Sequence, residues 1–299
     1  MTRDCYQIIT DKPALEQFID WLPDHSREET YFYALFYREK YNTGAKKSGG
    51  GNLLFRGISD KKSLFRKIQQ LECPIGSYEK AGEPVPQECL ALYINPNPRS
   101  LPKASLNTIS ALVDNLKTKN SQASPHKEAL ACIQTSPADK PFVTFDIDNK
   151  EPLYVVAALK TLYPVLPAII ETRGGYHLLV PRIQIPQIEN KMWHKTLAEI
   201  SDENGDILSP IIGASQGGFT PRFIDPKDFS WQLPNLSYVF RRNQFRLISG
   251  KTGSNPSEAL HSRTLESLRW AGRIARNHPG SLWQYSYKHR IDPHLDFNP

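Results

Sequence analysis

Residues 141–182 read PFVTFDIDNKEPLYVVAALKTLYPVLPAIIETRGGYHLLVPR, and the change of hydrophobic period along them decides the fold. Phe142, Val143, Phe145 and Ile147 are β-formers, and a strand alternates its faces, so Asp146 and Asp148 project together while Ile147 points away. Leu153, Val156, Leu159 and Leu162 then recur at helical spacing, and Pro164 and Pro167 mark a turn. Residues 168–172 and 177–180 are apolar again and flank Arg173-Gly174-Gly175-Tyr176, giving strand, helix and strand. Two carboxylates on one face repel each other unless a cation lies between them, so Asp-x-Asp reads as half of a divalent metal site. A solvated strand end is the plain alternative. The glycine pair permits close backbone approach to a ligand, Arg173 supplies a forked donor for phosphate, and His177 enters a strand expected beside the aspartates. A histidine on an apolar strand is ordinarily a satisfied core residue; the adjacent arginine and glycines argue for an anion.

Outward from this stretch, 299 residues at 39% hydrophobic content allow one large domain or two modest ones. No apolar run reaches membrane-spanning length and residues 1–10 lack a signal-peptide core, so a soluble, cytoplasmic protein without a membrane partner is expected. Cys5, Cys73, Cys89 and Cys132 are scattered with no Cys-x-x-Cys pair, so neither a zinc ribbon nor a disulfide framework is indicated. The net charge of +6 is concentrated: Arg38, Lys40, Lys46, Lys47, Arg56, Lys61, Lys62, Arg66 and Lys67 against Glu39 and Asp60 give residues 38–67 a charge of +7. With Phe36, Tyr37, Tyr41 and Phe55 nearby, this is either a nucleic-acid surface or a solvated helix and loop over a core.

Toward the N-terminus, the pattern predicts a strand over 6–10, a helix from Lys12 through Trp21, strands over 29–37 and 90–94, a basic Gly-rich loop over 43–52, and helices over 60–71 and 105–116. That alternation implies an α/β sheet. Arg99, after Asn95-Pro96-Asn97-Pro98, is placed to reach a phosphate, and residues 118–127 read as a polar connection on which His126 and Lys127 sit near Lys140 at the edge of the site or on the surface. Toward the C-terminus come an amphipathic helix over 187–200 and the loop Ser215-Gln216-Gly217-Gly218, whose N–H groups either meet a triphosphate or template or form a hairpin turn. Gly250-Lys251-Thr252 is not a P-loop, because Phe245 stands where a glycine is required and Pro256 interrupts the helix that should follow. Residues 257–278 carry a helical apolar stripe, and 283–299 form an aromatic tail.

Phe145-Asp146-Ile147-Asp148 and Gly175-Tyr176-His177 together resemble the first two motifs of the archaeo-eukaryotic primase superfamily, a hydrophobic strand ending in two acids and then a small residue, any residue and His. The resemblance implies an α+β fold: an RRM-like catalytic module (141–256) packed on a smaller N-terminal α/β module (1–117) through a connection (118–140), with a C-terminal helical segment (257–299). It implies template-directed nucleotidyl transfer with two Mg²⁺ or Mn²⁺ ions, held by Asp146, Asp148 and a third carboxylate. That third ligand is expected at Asp202, then Asp206, then Asp225, with Asp228 a further candidate. His177, Arg173, Arg246, Lys251 and Ser215 would contact the nucleoside triphosphate, a ribo- or deoxynucleotide. Single-stranded or primed DNA is the implied partner, with any unwinding left to a separate helicase. Primase-polymerase, gap-filling end-joining polymerase and non-catalytic nucleic-acid-binding subunit are the three activities the resemblance leaves open.

Overall fold

The computed structural model describes residues 4–41, 53–80, 82–118, 124–226 and 229. Its strands are β1 (Glu29–Tyr37), β2 (Leu53–Ser59), β3 (Glu79–Lys80), β4 (Glu83–Pro84), β5 (Leu90–Ile94), β6 (Arg99–Ser100), β7 (Phe142–Ile147), β8 (Ala168–Glu171), β9 (Tyr176–Pro181), β10 (Glu203–Gly205), β11 (Ser209–Pro210) and β12 (Arg222–Ile224). Its helices are α1 (Lys12–Trp21), α2 (Leu64–Gln69), α3 (Leu101–Lys117), α4 (Pro125–Gln134), α5 (Pro152–Leu162) and α6 (Trp193–Ile200). Nearly all described residues belong to the first of two compact units, Met1–Phe223; the second is Ile224–Pro299. The fold is α+β, and no helix among the described residues is long and apolar enough to cross a membrane.

The first sheet has the order β11-β5-β1-β2, with β6 also paired to β1. β1 is a run of aromatic and aliphatic β-formers buried along almost its whole length, as a central strand covered on both faces must be. Every pairing in this sheet is antiparallel, which corrects the α/β expectation: the intervening helices do not serve as crossovers between parallel strands. The expected strand over 6–10 is only a pair of isolated bridges at Cys5 and Ile9, because Glu72 Oε1 accepts from the N–H groups of Ile8 and Ile9 in place of a ladder partner. The 118–140 connection contains α4, whose short sequence before Gln134 carries too little apolar periodicity to announce a helix.

The second sheet runs β10-β7-β9-β8, bordered by β12. Its chain order is β7-α5-β8-β9-α6-β10, so the two central strands are the first and third of the unit and all three pairings among these four strands are antiparallel. Directly opposed residues share a face. Glu203 stands opposite Asp146, Asp146 opposite His177, and His177 opposite Ile170, so one row crosses the sheet. The alternate face carries Phe145, which meets the Trp193 and His194 rings of α6 at 6.1 and 5.6 Å. Helix α5 buries Val155, Val156, Ala158 and Leu162, whereas Leu153, expected inside, is 57% exposed; the inward stripe is turned from the one the leucines alone suggest. With α6 on one face, the Asp146 face is left to the first sheet and α1, whose Trp21 stacks on Phe142 at 5.2 Å.

Candidate active site

Strand β7 delivers Asp146 to the open end of the sheet, and the chain leaves it through Asp148. Their side chains are 29% and 52% exposed, so Asp146 is the buried member and Asp148 the solvated one. Burial first, and then the negative charges of Asp148, Glu203 and Asp202, push the Asp146 carboxyl up to about 7. His177, 5% exposed, places Nε2 3.2 Å from Asp146 Oδ1. Burial, helped by the charge of Arg38, lowers the imidazole to about 3, so it is neutral, with Nε2 turned to the Asp146 carboxyl. His177 Nδ1 is buried without a hydrogen-bond partner. The histidine therefore reaches Asp146 rather than an open anion pocket.

Asp202 and Glu203 bring the further acids. Asp202 N–H donates to Asp146 O at 2.8 Å, and Asp148 N–H donates to Asp202 Oδ2, also at 2.8 Å. One Asp202 oxygen thus holds the backbone of the Asp-x-Asp turn, while Glu203, which the sequence reading passed over, takes the place opposite Asp146. No local pattern singles it out: only the pairing of β10 with β7 sets it apart from Asp202 and Asp206. Asp206 lies elsewhere. Arg99 Nη1 donates to its Oδ2 at 2.7 Å, Arg99 Nη2 to its Oδ1 at 2.6 Å, and Asn97 Nδ2 to Oδ1 at 3.0 Å. These donors outweigh burial and hold its carboxyl below the ordinary range. Arg99 is 0% exposed, so the arginine expected to reach a phosphate is an internal partner of Asp206.

The turn after β1 and the turn between β8 and β9 supply the opposing charge. Lys40 Nζ lies 3.7 Å from Asp148 Oδ2 and 5.7 Å from the centre of the Tyr41 ring. Arg173 stacks its guanidinium on that ring at 3.9 Å, and its Nη1 donates to Gly217 O. Arg38 donates from Nε and Nη2 to the Tyr93 hydroxyl at 3.1 and 2.7 Å. Gln216 ties the two sides together: Nε2 donates to Tyr93 Oη at 3.2 Å and Oε1 accepts from Arg173 N–H at 2.8 Å. Burial pushes the Tyr41 hydroxyl up to about 12, so it stays neutral in this basic cluster.

Two expected ligand cradles are occupied by the chain itself. A side chain on Gly174 would run into the Asp148 carboxylate, and one on Gly175 would strike the backbone of Ile147 and Asn149, so the glycine pair lets its own turn close over the end of β7. In the loop over 215–218, Ser215 N–H donates to Ile8 O, Gln216 N–H to Phe219 O and Gly217 N–H to Leu90 O. Ser215 is buried on the first sheet. In the basic window, Lys61 donates to the carbonyls of Asp20 and Leu22 and to Asp24, closing the end of α1. Lys62, Arg66 and Lys67 remain exposed on or beside α2. Asp228, Arg246 and Lys251, with Lys46 and Lys47, lie outside the described residues, as does the segment over 257–299.

Among the described residues no three His, Cys, Asp or Glu side chains stand close enough to hold an ion as they are. A separate surface groove, lined by Glu16, Asp20, Asp24, Glu29, Lys61 and Lys62, shares none of the residues around Asp146. No family model matches the chain, and neither a curated protein nor a solved structure matches it.

Proposed function

We propose that the chain is a template-dependent nucleotidyltransferase, a primase or polymerase that extends a DNA 3′-hydroxyl or starts a primer. The observation that carries this reading is the meeting of Glu203, Asp146 and Asp148 at the end of β7 with Lys40 and Arg38 from the turn after β1, beside Arg173. Anionic oxygens that take divalent cations and cations that take phosphates are the two halves of a metal-nucleotide site. The order β-α-β-β-α-β with its first and third strands central is that of a ferredoxin-like unit, and it supports the RRM-like module that the primase-superfamily resemblance implies.

Two Mg²⁺ or Mn²⁺ ions, with nucleoside triphosphates as substrates, fit this donor set. The oxygens are hard, they crowd one another, and Asp146 is held at about 7 by burial and by its acidic neighbours. Asp146 and Asp148 would hold the ions, with Glu203 as third donor and Asp202 behind it. Such ions, when bound, activate the attacking hydroxyl and stabilise charge on the leaving pyrophosphate. Arg173 and Lys40 draw in the triphosphate, the Tyr41 ring holds the planar Arg173 guanidinium in place by stacking, and His177 positions Asp146 through Nε2. Exposed Lys62, Arg66 and Lys67 offer charge to single-stranded or primed DNA. A separate helicase would supply any unwinding.

One contact favours a second reading, a non-catalytic nucleic-acid binder: Lys40 already gives Asp148 a counter-charge. Extension assays with Mn²⁺ on single-stranded, primed and gapped DNA, comparing the native chain with Asp148→Ala, separate the possibilities. Products from the native protein alone establish the transferase. Primer-independent products make it a primase, and products confined to gaps make it a filling polymerase. Silence on all three templates with ribo- and deoxynucleotides, with DNA binding retained, gives the second reading.

A further inference from the structure

We propose that Arg99, Asn97 and Asp206 are positioning residues that set the register of β10 on β7 and so decide which carboxylate faces Asp146. The inference rests on the proposed role of the Asp146 site.

Strand β10 has three residues, paired as Glu203 with Asp146, Asn204 with Phe145 and Gly205 with Thr144. So short a ladder holds its register weakly, and a slip of one residue would turn Glu203 to the other face. The residue that follows is Asp206, gripped by the two Arg99 nitrogens at 2.7 and 2.6 Å. Arg99 is itself fixed: Nη1 also donates to Gln134 O at the end of α4, and its backbone pairs with Thr30 of β1. Asn97 completes the brace. It accepts from Phe142 N–H through Oδ1 at 2.9 Å and donates through Nδ2 to Phe142 O at 3.1 Å and to Asp206 at 3.0 Å. One asparagine therefore holds the first residue of β7 and the residue after β10 at once. A forked, buried ion pair has a strong preference for one geometry, which is what a register lock requires. At the other end the Asp202 contacts with Asp146 and Asp148 close the frame.

The test measures Mn²⁺ binding to the full chain by calorimetry, with folding checked by circular dichroism and urea unfolding. Asp206→Glu keeps the charge but displaces the fork, and should weaken Mn²⁺ about 10- to 100-fold, as loss of a ligand's supporting contact does. Because the displaced register removes Glu203 from the site, Glu203→Gln should then cost nothing further, although it costs a comparable factor alone. A merely stabilising ion pair would leave the two effects multiplicative. If Asp206→Glu does not fold, the apolar replacement Arg99→Met with Asp206→Leu removes the fork without stranding a charge and is held to the same outcomes. A second arm needs no metal: Asp146→Cys with Glu203→Cys should oxidise to a crosslink, identified by peptide mass, in the native background and not beside Asp206→Glu. Retained crosslinking, native Mn²⁺ affinity in a folded variant, or multiplicative losses would each overturn the register role. If the native chain binds no Mn²⁺ yet the crosslink depends on Asp206, the brace stands and the metal-site reading falls.

Discussion

Asp146 and Asp206 stand at opposite ends of the same short strand pair, and their surroundings have opposite effects on them. Asp206 receives a buried arginine and an asparagine, which hold its carboxyl low; Asp146 lies against His177, and burial together with three acidic neighbours holds it at about 7. A carboxylate with its own cation is a fixture of the fold. One surrounded by other carboxylates is stable only at a cost, and such residues cluster where chemistry is done.

The largest effect expected of this contrast is on synthesis. Asp146→Ala and Asp148→Ala should each lower nucleotide addition by about a thousandfold, about 4 kcal/mol of barrier, in the extension assay. DNA affinity by fluorescence anisotropy should change by less than about twofold, because the exposed Lys62, Arg66 and Lys67 proposed to meet DNA are untouched. A fall in DNA affinity of the same size as the fall in synthesis would remove the distinction between the two aspartates.

Stability should show the reverse ranking. Arg99→Ala strands Asp206 in a buried setting and should cost about 3–5 kcal/mol by urea unfolding at neutral pH. Asp146→Asn relieves repulsion and should gain roughly 1–2 kcal/mol at pH 8, after discounting for the part of the carboxyl that water reaches. Equal losses from both would break the comparison.

Acidity sharpens it. With Asp146 raised from 3.8 to about 7, the folded state holds the extra proton between those values, so its contribution to stability falls as pH rises through that window. With His177 lowered from 6.5 to about 3, the unfolded state holds the extra proton, and that contribution rises with pH. In the native chain the two slopes oppose each other between about pH 4 and 6.5. Asp146→Asn should uncover a stability that climbs across this range, and His177→Gln one that declines, read as urea midpoints at the two ends. Asp206 acts lower: its contribution is present above its ordinary value of 3.8 and is lost as acid takes the pH down through its depressed folded value.

The smallest effect is expected at Lys40. Its pair with Asp148 is about half exposed, so Lys40→Gln should change stability by less than about 0.5 kcal/mol. In the extension assay it should raise the nucleotide KM with kcat nearly kept, which separates a phosphate contact from a structural pair.

Much of this was legible in residues 141–182. Alternation placed Asp146 and Asp148 on one face, and the strand carrying His177 does pair with β7. Strand β1 is bounded at Glu29 and Tyr37 as its β-formers indicate, and α1 starts where Asp11 accepts from Ala14 N–H. The third acid was not legible. Asp202, Glu203 and Asp206 lie within five residues and look alike in a sequence, but a strand position separates their faces and only pairing with β7 assigns them. The same holds for Lys61, which closes the end of α1, and for Ser215, whose loop pairs with Ile8 and Leu90.

By itself, then, the sequence determined what local periodicity and side-chain chemistry can determine: the strand-helix-strand unit, its paired aspartates and the excess of positive charge. Tertiary structure alone decided which acid faces Asp146, which arginine is buried against Asp206 and which lysine approaches Asp148. Those choices depend on pairings between distant residues, Arg99 and Asp206 being 107 positions apart, and no local pattern encodes the register in which distant strands meet.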